Sequence, residues 1–324
     1  MANNYFSNFA DKKCLVTGGA GFIGSNLARY LRKLGAGVKI IDNFSTGNKR
    51  NIHDFVDIGI EILNSDITNQ KETETFYENI DFVFHHAAIA SVPFSIKYPD
   101  KSRFNNVDGT IAVLRNSLKY GITKVIFASS SAVYGDTKFI PTSEKIEICP
   151  QSPYAEQKAE GELQCKDFFE SHNLRNTCLR YFNVFGPYQD PKSEYSAVIP
   201  KFIDLAIRNK DLIIFGDGSS TRDFVFVEDV IRANLQSALS GSSDSKIVNI
   251  ATGQKISIFE LAKLIIELTN SKSKIIFHKP RDGDIHHSVA DITKASKIIK
   301  YNPKISLEEG LSKTADFFKI LGSN

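Results

Sequence analysis

The chain has 324 residues, more than the roughly 250–300 at which a single core stops growing, so one large or two modest domains are expected. Hydrophobic residues make up 42% and charged residues 24%, a globular balance that excludes a disordered chain. The 40 basic and 37 acidic residues are spread along the sequence, and their net charge of +3 is too weak and too mixed for a nucleic-acid partner.

The first apolar run, Lys13–Thr17, lies just before a glycine cluster, the pattern of a buried parallel strand. Phe22, Ile23, Leu27, Tyr30, Leu31 and Leu34 then recur at helical spacing up to Gly35 and Gly37. Further strand-like runs are Val38–Ile41, Ile60–Leu63, Phe82–His85, Lys124–Ser129 and Thr177–Phe182. Helical stretches intervene, notably Asn106–Tyr120 and Ala155–Glu170. This alternation predicts an α/β fold, a doubly wound parallel sheet covered on both faces. Beyond residue 183 the pattern loosens into helices at Val198–Lys210, Glu228–Leu239, Ile258–Leu268 and Leu311–Ile320, with short strands at Leu212–Phe215 and Val248–Ala251. The expected organisation is a nucleotide-binding domain over 1–183, with return segments around 224–250, and a smaller α/β unit over 184–324.

No run approaches the roughly 20 apolar residues that span a bilayer. The first 13 residues hold no basic stretch followed by an apolar one. Cys14, Cys149, Cys165 and Cys178 fall singly, without metal-like spacing. A cytoplasmic protein without a metal or a membrane partner is expected.

After the first strand comes Thr17-Gly18-Gly19-Ala20-Gly21-Phe22-Ile23-Gly24. Such glycines let the backbone turn tightly and approach a pyrophosphate, which rests on the amides of the following helix. Glycines often serve plain turns, but here they join a buried strand to an amphipathic helix. Asp42 ends the next strand, where a carboxylate accepts hydrogen bonds from the adenosine ribose and repels a 2′-phosphate. Asp42-Asn43 with no adjacent arginine therefore favours NAD over NADP. Asp66 and Ile67 could flank the adenine or simply end a turn. The small Ala87 and Ala88 would let the fourth strand pass close to the cofactor. The preceding His85 and His86 point to opposite sides of a strand and are read as structural rather than metal-binding.

Tyr154 and Lys158 stand one helical turn apart. A tyrosine is a poor base at neutral pH unless a nearby cation stabilises its phenolate, and Lys158 could supply that charge. Alone, a Tyr-x-x-x-Lys pair is common by chance. Upstream, Ser129-Ser130-Ser131-Ala132-Val133-Tyr134-Gly135 begins at a strand end, which in a doubly wound sheet faces the ligand crevice.

Taken in this order and spacing, Gly18, Gly21, Gly24, Asp42, the Ser129–Gly135 segment and Tyr154/Lys158 resemble the extended short-chain dehydrogenase/reductase family. More narrowly, the chain is similar to its NAD-dependent nucleotide-sugar epimerases and dehydratases over residues 12–318. The resemblance implies that Tyr154 is the base, that Lys158 tunes it and holds the nicotinamide ribose, and that Ser130 completes the set. Further cofactor candidates are Ser45, Gly47, Asn106 and Tyr181. Family dehydratases carry an Asp-Glu pair after the Ser/Thr, and decarboxylases a Glu at the second of these places. Here the two places hold Ser131 and Ala132, which leaves epimerisation. The implied mechanism is transient oxidation at C4′ by a permanently bound NAD, rotation of the 4-keto sugar and hydride return to the other face.

The second half carries matching features. Asn183 resembles the family residue that contacts the substrate diphosphate. Arg222 and Arg281 resemble those that grip the same phosphates with a planar fork. Asp284 resembles the residue on the uridine ribose, and Phe215 the one beside the uracil. Ser131 and Val198 join this substrate set. Ser288 matches a position where a tyrosine crowds the 2-substituent of the sugar, and a small residue makes room for an acetamido group. The expected reaction is 4-epimerisation of UDP-N-acetylglucosamine/galactosamine, and of UDP-glucose/galactose. The alternatives are a UDP-uronic-acid 4-epimerase and a non-catalytic nucleotide-sugar-binding regulator. Helices Asn106–Tyr120 and Ala155–Glu170 match those that pair across family homodimers.

Overall fold

A computed structural model describes residues 6–191, 197–280 and 286–322. Six strands open the chain: β1 (Lys13–Thr17), β2 (Gly37–Asp42), β3 (Ile60–Asn64), β4 (Phe82–His85), β5 (Lys124–Ser130) and β6 (Asn176–Tyr181). Later come the shorter β7 (Asn183–Phe185), β8 (Leu212–Phe215), β9 (Thr221–Arg222) and β10 (Phe224–Phe226). The last four are β11 (Lys246–Ile250), β12 (Ile256–Ser257), β13 (Ile275–His278) and β14 (His287–Ser288).

One seven-stranded sheet runs β11-β6-β5-β4-β1-β2-β3, with every pairing parallel. Its central strands are buried on both faces, as their unbroken apolar runs require. The order reverses between β1 and β4, so a crevice opens outside the carboxyl ends of these two strands. The Phe22–Lys33 helix buries Gly24, Leu27, Ala28 and Leu31, one stripe at helical spacing, and ends before Gly35 at φ +89°.

The Pro153–His172 helix starts two residues earlier than its apolar pattern alone indicates, because Ser152 caps it and Pro153 fits its first turn. The expected Asn106–Tyr120 helix is composite: Pro99–Arg103, a π-turn at Phe104–Asp108, then Gly109–Lys119. In the later part, β7 pairs with β10, β8 with β13, and β9 lies between β12 and β14. Strand β13 and the Thr293–Ile299 helix were not anticipated: β13 is mostly exposed and only four residues long. Among the described residues no helix is long and apolar enough to cross a membrane.

Candidate active site

The glycine turn is built around two close approaches. Gly18 has φ +70°, and a Cβ there would lie 2.7 Å from the Ala87 amide nitrogen. A Cβ on Gly24 would lie 2.2 Å from the Gly18 carbonyl oxygen. The Phe22–Lys33 helix starts at Gly21 with no side chain capping its first amides, which leaves them for an anionic ligand. Asp42 closes the far side: its Oδ2 accepts from Ala20 N at 2.9 Å and its Oδ1 from Phe44 N at 2.8 Å. Burial raises its pKa, with these two bonds opposing. Asn43 donates to Asp66 Oδ2 at 2.7 Å. Burial works to raise Asp66, but bonds from Thr68 and Asn43 hold it below the ordinary carboxylate value.

These groups enclose a cavity of about 290 Å³. Its walls bring together Gly18, Gly21, Phe22, Ile23 and Gly24 from the turn, Asp42, Asn43, Ser45 and Gly47 from the β2 end, and Ile67, Ala87 and Ala88 beyond β3 and β4. Tyr154, Lys158 and Tyr181 complete it. An uncapped helix start, a cradle that a Cβ would fill and a carboxylate at the β2 end together fit an NAD.

Two expected cofactor residues stand back from the cavity. Asp66 is turned to Thr68 and Asn43, and Asn106 is buried and bonded to Ile89: its Oδ1 accepts from Ile89 N at 2.8 Å. Its amide also donates to Gln157 Oε1 at 2.8 Å, tying the π-turn to the Pro153–His172 helix. The neighbouring Asn105 lines the cavity instead, as do Thr46 and Ser65, all missed from sequence, together with His86, read there as structural, and Ser129, the first residue of the strand-end serine segment. The π-turn changes which face each residue presents, and no local pattern announces it. His85 is buried between Thr17 (2.7 Å) and Thr110 (3.0 Å), and His86 contacts Tyr181 Oη at 3.1 Å. Burial holds both histidines neutral. Among the described residues no three His, Cys, Asp or Glu side chains cluster as a metal site would require.

At the inner end of the cavity, Lys158 Nζ donates to Ala128 O at 2.7 Å and lies 6.0 Å from the Tyr154 ring centre. Burial pushes Lys158 down to about 8, with Glu162 among the groups opposing. Burial raises Tyr154, and a hydrogen bond with Ser130 pulls the other way. Ser130 Oγ also accepts from Ala132 N at 3.1 Å, starting the turn that holds Ser131. A tyrosine hydroxyl beside a serine hydroxyl and backed by a lysine can accept a proton from a bound alcohol once the lysine is charged.

The expected sugar-nucleotide residues lie beyond this cavity. Asn183 donates to Asp223 O at 3.0 Å. The register of β9 with β14 sets Ser288 directly beside Arg222. Arg222 donates to Thr221 O at 3.0 Å and borders a second cavity of about 770 Å³ with Phe224 and Leu264. Half-buried Phe215 meets His278 edge-on at 5.9 Å, and Val198 starts the Val198–Ile207 helix. Arg281 and Asp284 lie outside the described residues. Sequence reasoning missed Asp223, which is fully buried. Its carboxylate accepts from Thr252 N (2.9 Å), Thr252 Oγ1 (2.6 Å), Gly253 N (2.9 Å) and Ala290 N (3.2 Å), joining the segments of Asn183, Arg222 and Ser288.

The NAD dependent epimerase/dehydratase family matches residues 14–251. The UDP-glucose 4-epimerase of Mycolicibacterium smegmatis is 35% identical over 310 residues, spanning 95% of this chain and 98% of its own. A UDP-N-acetyl-alpha-D-glucosaminuronate decarboxylase of Bacillus cytotoxicus is 36% identical over 324 residues, spanning 95% and 98%. The solved structure of the UDP-N-acetylglucosamine 4-epimerase from Methanobrevibacter ruminantium M1, in complex with UDP-N-acetylmuramic acid, superposes with a TM-score of 0.92 at 39% identity. That match covers 96% of this chain and 99% of the other. A family match over most of the chain and relatives aligned along nearly their whole length lead to one conclusion: the chain belongs to the NAD-dependent epimerase/dehydratase family.

Proposed function

We propose that the protein is an isomerase, a 4-epimerase of UDP-hexoses acting on UDP-N-acetylglucosamine/galactosamine and on UDP-glucose/galactose. The observation that carries this reading is the end of β5. There Ser130 lies beside Tyr154, and the two places after Ser130, Ser131 and Ala132, offer a hydroxyl and a methyl where elimination or decarboxylation would use a carboxylate. Proton transfer at one hydroxyl is the chemistry that remains.

In this reading the glycine turn, Asp42 and Lys158 hold NAD, which when bound supplies the reversible oxidation at C4′. Tyr154 takes the O4′ proton, directly or through Ser130, and gives it back after the sugar has turned. Charged Lys158 favours the phenolate during the first half. Asn183, Arg222 and Arg281 keep the diphosphate fixed while the hexose swings, and Asp284 holds the uridine ribose. Ser288 beside Arg222 leaves room for a 2-acetamido group; a larger pocket need not reject a plain hydroxyl.

The test is proton NMR of the purified protein, without added NAD, incubated separately with UDP-N-acetylglucosamine, UDP-glucose and UDP-glucuronate. The 4-epimers of the first two are expected. Conversion of UDP-glucose alone would remove Ser288 as the gate, conversion of the uronate alone would favour the uronic-acid reading, and carbon dioxide release would contradict the β5 argument.

The exposed apolar side chains Ile96, Tyr98, Phe104 and Leu163, on adjoining helices, further support a homodimer built on this face. Leu163→Glu is expected to convert the species seen by light scattering to a monomer; a parent already monomeric would refute the dimer.

A further inference from the structure

The helix that carries Tyr154 and Lys158 holds a buried carboxylate one turn beyond Lys158, Glu162, which is 5% exposed. Its Oε1 accepts from Ser129 Oγ at 2.6 Å and from Arg180 Nε at 2.8 Å, and its Oε2 from Arg180 Nη2 at 2.6 Å. Ser129 and Arg180 are register partners across β5 and β6, and the next rung joins Ser130 to Tyr181. The Arg180 guanidinium stacks 4.6 Å from the centre of the Tyr134 ring, at the end of the turn that starts at Ser131. Tyr134 Oη in turn donates to Asn249 Oδ1 on β11 at 2.7 Å. One buried carboxylate is thus the meeting point of the catalytic helix, the strand end bearing Ser130 and the turn bearing Ser131.

A buried ion pair is a weak device for stability alone, because apolar residues of similar volume often serve as well or better. What this pair does that apolar residues could not is fix hydroxyl directions and place charge. We propose that Glu162 and Arg180 are positioning residues for the epimerisation, holding Ser130 and Lys158 in register with Tyr154 and keeping a negative charge behind the Lys158 ammonium. This extends the epimerase reading and rests on it.

The surroundings of Lys158 support the second part. On its own helix it faces Tyr154, Glu162 and Cys165; on β4 and the residue after it, His85 and His86; on β6, Cys178. The histidines are held neutral by burial, and Cys178 is pushed far up, so it stays a thiol. Glu162 is the carboxylate in this set that favours the ammonium. Without it, Lys158 would lose its proton at lower pH and leave Tyr154 without its cation.

The variant of choice is Glu162→Leu with Arg180→Met, since removing both charges is tolerated far better than stranding one. The NAD-bound double variant is expected to keep its melting temperature within about 5 °C of the parent. Its kcat should fall about tenfold or more with KM within about threefold, the pattern of an interaction used in the chemical step rather than in binding. The alkaline limb of its kcat profile should move about half a pH unit or more toward acid. Parental kcat and an unmoved limb would overturn the proposal. Should the double variant not fold, Ser129→Ala, which deletes one hydrogen bond, decides: a kcat loss of about threefold at unchanged KM is expected, and parental kcat overturns it. A phenolate absorbance titration, taken as the difference from a Tyr154→Phe background, needs no substrate. A parent that converts no sugar nucleotide would refute the epimerase reading, whereas a Tyr154 midpoint equal in parent and double variant would refute the positioning role.

Discussion

Replacing Gly24 by alanine would put a methyl carbon 2.2 Å from the Gly18 carbonyl oxygen and 2.9 Å from its carbon, and both are backbone atoms. A side chain could swing aside, but Gly18 is itself pinned by the bond from its amide to Ile41 O at 2.8 Å. Overpacking of this kind costs about 1–3 kcal/mol, and a contact with fixed backbone belongs at the upper end. For a chain of this size each kcal/mol lowers the melting temperature by about 2–4 °C. Gly21→Ala makes the matched control, because its added carbon would meet only Gly18 O, at 3.2 Å, and otherwise projects into open space. Its φ of −73° suits any residue. Gly21→Ala is therefore expected to melt within about 2 °C of the parent yet to lose about tenfold or more in NAD affinity, since its methyl stands where a pyrophosphate must approach. Thermal unfolding with and without NAD, together with cofactor released from the denatured protein, reads both quantities. A Gly24→Ala protein that melts with the parent, or a Gly21→Ala protein that retains full NAD, would refute the reasoning.

Tyr154→Phe should lower turnover by about 10²- to 10⁴-fold while leaving NAD bound; epimerisation at the parental rate would remove Tyr154 as the base. Ser288→Tyr should cut conversion of the N-acetyl sugar about tenfold or more and spare UDP-glucose, which competition NMR can resolve. Asp223→Ala strands four donors in a buried site and should cost about 3–5 kcal/mol in denaturant unfolding; a loss under 1 kcal/mol would mean that water satisfies them. Burial raises Asp223 above the ordinary carboxylate value of 3.8, so the folded chain keeps this proton to higher pH than the unfolded one. Its contribution to stability then falls as pH rises from 3.8 through the folded value and is level above it. The stability gap between the parent and Asp223→Asn should accordingly narrow over that range, and a gap that widens would contradict the sign.

The cofactor half was legible because its signals are local. A buried strand, a glycine turn and an amphipathic helix follow one another within Lys13–Lys33, Asp42 sits at a strand end that periodicity marks, and Tyr154/Lys158 stand out by their four-residue spacing and the family resemblance. What stayed hidden depends on distant partners. Asn105 rather than Asn106 lines the cavity because a π-turn resets the helix phase. Glu162 and Arg180 are 18 positions apart and meet only because the Pro153–His172 helix packs on β6. Ser288 reaches Arg222 through two strands of two residues each, too short to leave any period. Asp223 looked like one more acidic residue beside an arginine until its four donors converged on it.

In the proposed reaction the sugar is oxidised and reduced at C4′ by the protein's own bound cofactor, with Tyr154 moving only the hydroxyl proton. Proton NMR of the purified protein in D₂O, with UDP-N-acetylglucosamine and no added NAD, tests it directly. A 4-epimer that keeps hydrogen at C4′ is expected. Deuterium at C4′ would mean that a carbon-bound proton is exchanged with solvent, and would contradict it.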